Sequence, residues 1–302
     1  MSKGSFPSAS GRRGGTLALV LAALAPVCLG GWLVWDTMGS GQNDGGGAPA
    51  SSLPTVSSTS SPPPPRPPSA SPKNEIDGKP LTGKVVVLDP GHNPDNRDHT
   101  SEIARRVDIG TGEKECDTTG TATDAGYSEA AFTLDVSRRA RALLEARGAT
   151  VKFTQDGDRS YGPCVDERAR IGNNAHADAV VSVHADGAPA GDRGFHVILP
   201  KSVRGGAADT SDIAAPSRLL GERVRGEFME ATGSAPADYI GDGSGLNVRG
   251  DLGGLNLSTV PKVFIECGNM RDPKDASELT DPKWRERAAL GIAQGITDFL
   301  NR

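Results

Sequence analysis

The stretch KVVVLD, residues 84–89, decides the fold. It is a short, continuous apolar run rich in valine and ending on a carboxylate, and it reads as a strand buried on both faces. Working outward, EAAFTLDVSRRARALLEARG (129–148) carries helical spacing. Phe132, Val136, Ala140, Leu143 and Leu144 share one face, Ser128 supplies an N-cap and Gly148 a stop. ATVKFT (149–154) reads as a strand, VDERARIGNNAH (165–176) as a helix, and ADAVVSVHA (177–185) as a second buried strand. GFHVILP (194–200) is a strand and APSRLLGERVRGEFMEATG (215–233) a helix ending at Gly233. PKVFIE (261–266) is a strand, and residues 284–300 close the chain as a helix with Ala288, Ile292, Ile296 and Phe299 in phase. Strands separated by helices predict a single α/β domain, with a mostly parallel central sheet and helices on both faces.

Upstream of that pattern the composition changes. Residues 1–15 form a basic tail with Lys3, Arg12 and Arg13. Residues 16–36 are an uncharged apolar run until Asp36, long enough to cross a bilayer, and read as a transmembrane anchor or a signal peptide. Residues 37–80 are rich in Pro, Ser and Gly and read as a disordered linker. Some forty such residues span roughly 35 Å as a coil and roughly 120 Å as polyproline. The expected folded unit is therefore 81–302, on the extracytoplasmic side of a membrane. The net charge of −5, the lack of a basic block in that unit and an aromatic content of 4% exclude nucleic acid as an expected partner.

Ligands in open α/β sheets bind at the carboxyl ends of strands. His92 follows the first strand, His184 ends the ADAVVSV strand, Glu266 ends PKVFI, and Glu129 opens the first long helix. Two imidazoles and a carboxylate form a catalytic zinc set with a position left for water, and a second carboxylate is then available as a base. There is no H-E-x-x-H helix, which excludes the thermolysin type.

From residue 84 to 302 the chain resembles the zinc-dependent N-acetylmuramoyl-L-alanine amidases of the Amidase_3 family. VVVLDPGH is similar to the family's opening strand and first zinc histidine, implying His92 as a metal ligand. SEAAFTLDVSRRARALLEARGATVKFTQD is similar to the motif opened by the zinc glutamate, implying Glu129. DERARIGNNAHADAVVSVHADGA is similar to the segment with an Arg, an Asn and the second zinc histidine, implying His184, with Arg168 as a substrate-binding candidate. STVPKVFIECGNMRDPKDASEL is similar to the last motif, whose glutamate is catalytic, implying Glu266. Asn93, Cys267 and Asn269 depart from the family pattern. The resemblance implies one Zn2+ and hydrolysis of the amide between N-acetylmuramic acid and L-alanine in peptidoglycan or a muropeptide. The alternatives are a non-catalytic amidase-like domain that binds cell wall and a zinc peptidase acting within the stem peptide.

Other residues carry narrower expectations. The resemblance implies that the Gly-rich loop at 239–254 approaches substrate, which makes Asn247 and Arg249 substrate-binding candidates. His99 is expected in solvent, His176 at a helix end and His196 on a strand close after His184. The polar excursion 93–127 lies between two of the ligands, and it is either decoration or a gate over the cleft. An exported chain permits a disulfide, and Cys116 and Cys164 are expected to form one that pins this excursion. Cys267 is then left as a small buried hydrophobe.

Overall fold

The computed structural model describes residues 79–302. The basic tail, the apolar run at 16–36 and nearly all of the 37–80 linker lie outside the described residues. Within them, no helix is long and apolar enough to cross a membrane.

The chain enters through β1 (Val85–Pro90), then a short helix α1 (Thr100–Ile103) and a hairpin of β2 (Arg106–Asp108) and β3 (Glu113–Glu115). Helix α2 (Glu129–Ala146), β4 (Thr150–Phe153), α3 (Val165–Asn174) and β5 (Ala179–Asp186) follow. Next come β6 (His196–Pro200), the two-residue strands β7 (Arg204–Gly205) and β8 (Ala208–Asp209), and α4 (Ala214–Thr232). The chain closes with β9 (Leu246–Arg249), α5 (Gly253–Asn256), β10 (Lys262–Asn269), α6 (Pro273–Thr280) and α7 (Pro282–Leu300). The central six-stranded sheet has the order β4-β1-β5-β10-β6-β9. All its pairings are parallel except β10 with β6.

Two expectations of loop are corrected here. The 239–254 stretch contains β9, an edge strand, because Leu246 and Val248 alternate with Asn247 and Arg249 and so fit a half-covered sheet edge. The excursion contains the β2–β3 hairpin, turned at Gly110 and Gly112, both at positive φ.

Alternation divides the sheet into two unlike faces. Val86, Leu88, Val181, Val183, Val197, Leu199, Val263 and Ile265 join Phe132, Phe228 and Trp284 in the main core, where α2, α4 and α7 pack. Helices α4 and α7 approach closely at two glycines. A Cβ on Gly291 would sit 2.6 Å from the Phe228 Cα, and one on Gly295 2.5 Å from the Val224 Cα. The opposite face carries Val87 and Val180, then Asp89, Ser182 and Phe264, then His184, Glu266 and His196 as cross-strand neighbours. Greasy residues thus anchor one side of each strand while the polar ladder occupies the other.

Candidate metal centre

At the bottom of that ladder lies a buried ionic knot. Asp89 accepts from Arg168 Nη1 at 2.8 Å, Thr154 Oγ1 at 2.7 Å, Lys262 Nζ at 2.9 Å and Ser182 Oγ at 2.8 Å. Burial opposes the charge, but Lys262 and Arg168 outweigh it and hold the Asp89 carboxyl far below its ordinary range. Such a knot survives in a dry interior because every carboxylate lone pair has a donor.

Arg168 extends the knot to the turn after β1. Its Nη1 donates to the Pro90 carbonyl at 2.7 Å, and its Nη2 to the His92 carbonyl at 2.9 Å and to Asp117 at 2.9 Å. Its Nε donates to the Pro163 carbonyl at 2.9 Å. Arg168, expected as a substrate-binding candidate, has its guanidinium buried and bonded to the protein, at the wall of the larger of two cavities beside His92. Gln155 Nε2 donates to the same His92 carbonyl at 3.1 Å. These bonds stabilise His92 at φ 60, a left-handed conformation that costs a non-glycine residue on the order of 1 kcal/mol. A side chain on Gly91 would run into the His184 ring, so the turn can carry no Cβ there.

His92, Glu129 and His184 converge. Glu129 is the first residue of α2, whose N-cap Ser128 accepts from the Ala131 N–H. Glu129 Oε2 lies 3.1 Å from His92 Nε2, and Oε1 lies 2.9 Å from His184 Nδ1. One ligand atom from each of the three residues lies within 4.8 Å of the others, a group that can hold a metal ion. The Thr121 and Ala185 N–H groups also donate to Glu129, at 2.9 and 3.2 Å. The His184 ring stacks on Phe264, centroids 5.1 Å apart. Burial opposes ionisation of Glu129, but His92 and His184 hold its carboxyl below the ordinary range. For His92, burial pulls the other way, yet Glu129 and Asp117 raise it to about 10. The donor chemistry fits a cation: two imidazole nitrogens and one carboxylate oxygen gather where a positive charge has partners ready.

Glu266 is the register partner of His184 on one side and of His196 on the other. Its Oε2 is buried and has no hydrogen-bond partner among the described residues. Burial, then the like charges of Glu129 and Asp186, push its pKa well above the ordinary value. Two adjoining cavities of about 390 and 310 Å³ meet at His92, His184, Thr118, Leu252 and Phe264. Glu129, Glu266 and Arg249 line the smaller one.

The remaining expected residues fall in different places. Arg249 reaches the cleft from β9, where Asp251 pairs with it at 2.9 and 2.6 Å. Asn247 shares its sheet face but lines neither of these two cavities. His176 is exposed just past the end of α3. His99, expected in solvent, is half-buried against Tyr161 and Glu102. Cys116 and Cys164 form a disulfide with an S–S distance of 2.07 Å, and Cys267 is a buried free thiol. Asn93 latches the loop by donating to the Arg159 and Gly162 carbonyls.

Sequence reasoning missed Asp89, Lys262, Asp117 and the Tyr239–Asp186 bond of 2.8 Å. The signals for the first two were a charge at each end of an apolar strand. Asp117 and Tyr239 sit in polar loops, where nothing local distinguishes them.

The family model for N-acetylmuramoyl-L-alanine amidase, Amidase_3, matches residues 86–298. An N-acetylmuramoyl-L-alanine amidase of Mycobacterium tuberculosis is 38% identical over 233 residues, covering 77% of this chain and 90% of that protein. The crystal structure of the N-acetylmuramyl-L-alanine amidase Ami1 from Mycobacterium smegmatis superposes with TM-score 0.66 at 42% identity, covering 73% of this chain and 98% of that one. The catalytic domain of CwlV from Bacillus (Paenibacillus) polymyxa, 22% identical with TM-score 0.54 over 72% of this chain and 98% of that one, shares the fold. With its mostly parallel sheet and its His-Glu-His cluster at the strand ends, the chain belongs to the Amidase_3 family of N-acetylmuramoyl-L-alanine amidases.

Proposed function

We propose that this amidase is zinc-dependent, with His92, Glu129 and His184 holding the ion and Glu266 serving as the general base. The observation that carries this reading is the convergence of three ligand atoms within 4.8 Å of one another. A bound zinc supplies Lewis-acid chemistry: a water nucleophile available near neutral pH and a polarised amide carbonyl. Glu266 takes the proton from the attacking water and returns it to the leaving alanine nitrogen. Glu266 lines the same cavity as His92, Glu129 and His184, and its Oε2 has no protein partner among the described residues, which suits a group that must take up a proton and give it back. Phe264 and Leu252 give the cleft apolar walls, and Arg249 offers a cation to a substrate carboxylate. Asn247 is assigned beside it on the same edge.

The substrate in this reading is peptidoglycan or a muropeptide, cut between the lactyl group of N-acetylmuramic acid and L-alanine. Residues 16–36 deliver the domain across the membrane and either tether it or are removed, and residues 37–80 give it reach. Apart from residues 79 and 80, these segments lie outside the described residues. The test is digestion of purified peptidoglycan by protein stripped of metal and by the same protein reloaded with zinc. New alanine amino termini on intact stem peptides are expected only from the reloaded sample. Undiminished release by metal-free protein would remove zinc from the mechanism, and new termini elsewhere in the peptide would favour a peptidase.

A further inference from the structure

We propose that Asp117 is a positioning residue for the cation site: from the disulfide-pinned loop it fixes the orientation and proton of His92, and so strengthens metal binding. This inference rests on the reading of His92 as a metal ligand.

Three oxygens from two consecutive loop residues face the outer nitrogen of His92, the Thr118 hydroxyl at 3.2 Å among them. Nδ1 lies 3.1 Å from the Thr118 carbonyl oxygen and 3.3 Å from Asp117 Oδ1. An N–H at Nδ1 has the Thr118 carbonyl as acceptor and the Asp117 carboxylate beside it as charge partner, an arrangement that leaves the lone pair on Nε2, the nitrogen that faces Glu129. A carboxylate on the outer nitrogen also makes the inner one more basic.

Asp117 is held more firmly than an ordinary loop residue. Its carboxylate accepts from Arg168 Nη2 at 2.9 Å and from the Thr118 N–H at 2.8 Å, and both partners of the ion pair are buried. Its own N–H donates to the Ile103 carbonyl at 3.2 Å. The residue before it, Cys116, is tied to Cys164, and Cys116 also exchanges backbone bonds with Arg105 and Val165. Asn96 Nδ2 donates to the Thr118 carbonyl at 2.7 Å. The same Arg168 guanidinium grips the His92 carbonyl. Ring and backbone of His92 are therefore fixed from one side by a single unit made of Arg168, Asp117 and the staple.

The experiment is a zinc titration of the full chain against a chromophoric chelator, for wild type, Asp117→Asn and His92→Ala, with circular dichroism of the metal-free forms. Asp117→Asn keeps the side-chain shape and removes the charge. Its zinc affinity is expected to fall about 10- to 100-fold while the metal-free fold is unchanged. The visible spectrum of the cobalt-loaded variant should shift, which an ion pair serving structure alone would not cause. His92→Ala should lose far more affinity. Wild-type affinity and an unchanged cobalt spectrum in Asp117→Asn would overturn the proposal. Failure of the wild type to bind zinc at all would instead overturn the metal reading on which it rests. If Asp117→Asn does not fold, the pair Cys116→Ser and Cys164→Ser replaces it: weakened zinc binding supports the proposal, and wild-type binding overturns it.

Discussion

Glu266 and His184 are Cα partners across the parallel strands β10 and β5, so the candidate base and a candidate ligand project from the same sheet face side by side. The relationship is set by strand register, which a one-residue slip would destroy. It separates two roles that substitution can test.

Glu266→Gln should keep the metal and lose the chemistry. The amide fills the same space beside His184 without accepting a proton, and loss of a general base typically costs about 10²- to 10⁴-fold. Metal content of the purified variant together with its rate of stem-peptide release checks this. A variant with full activity would remove Glu266 from the mechanism.

Metal removal should also reach stability. The ligands belong to β5, to the turn after β1 and to the start of α2, so an ion bound only by the native arrangement lowers its free energy by mass action. At a free concentration about 100 times Kd the gain is about 2.7 kcal/mol. The melting temperature should rise on adding zinc and return on adding chelator. A melting temperature indifferent to both, in protein that still folds, would contradict a site made by the fold.

His196 should give the protein a pH-dependent stability. Its pKa is lowered from 6.5 to about 4 by burial first; the charge of Asp186 opposes this and that of Arg249 assists, while the Tyr239 ring packs edge-on against it. The unfolded chain binds a proton at this histidine below 6.5, whereas the folded chain does not until about 4. Stability from this group is therefore complete above pH 6.5 and is lost as pH falls toward 4. A shift of this size corresponds to about 3 kcal/mol. Urea unfolding between pH 7 and pH 4 should show that slope in wild type and a shallower one in His196→Gln. Parallel profiles would exclude it.

Gly295→Ala should destabilise without touching the site. Its new methyl would meet the α4 backbone at Val224, where no side chain can rotate away. Overpacking of this kind costs about 1–3 kcal/mol. The urea midpoint should fall with an unchanged slope. An unaltered midpoint would mean that α7 shifts freely against α4.

The architecture was legible because it is written in periodicity. Every long helix and every strand with a continuous apolar run, KVVVLD and ADAVVSVHA among them, appears where its spacing placed it. The strand β9 was not legible, since glycines crowd its approach and half of its residues are polar. The converging trio of His92, Glu129 and His184 was legible from strand ends together with motif likeness. Arg168 was visible as a residue but not in its role, because a buried guanidinium is explained only by partners at Asp89 and Asp117 that the chain order keeps far away. The direction of β6 was also beyond reach, since an apolar strand reads the same whichever way it runs.

The left-handed turn at His92 has a consequence for how the centre comes into being. No short peptide cut from this chain contains two of the three gathering side chains, and the backbone pose that presents one of them relaxes elsewhere once Arg168 and Gln155 let go. A nascent or unravelled chain therefore does not gather the three side chains. The three side chains meet only when the β1 turn, α2 and β5 are all in place, so the cluster itself marks the closing of that part of the sheet.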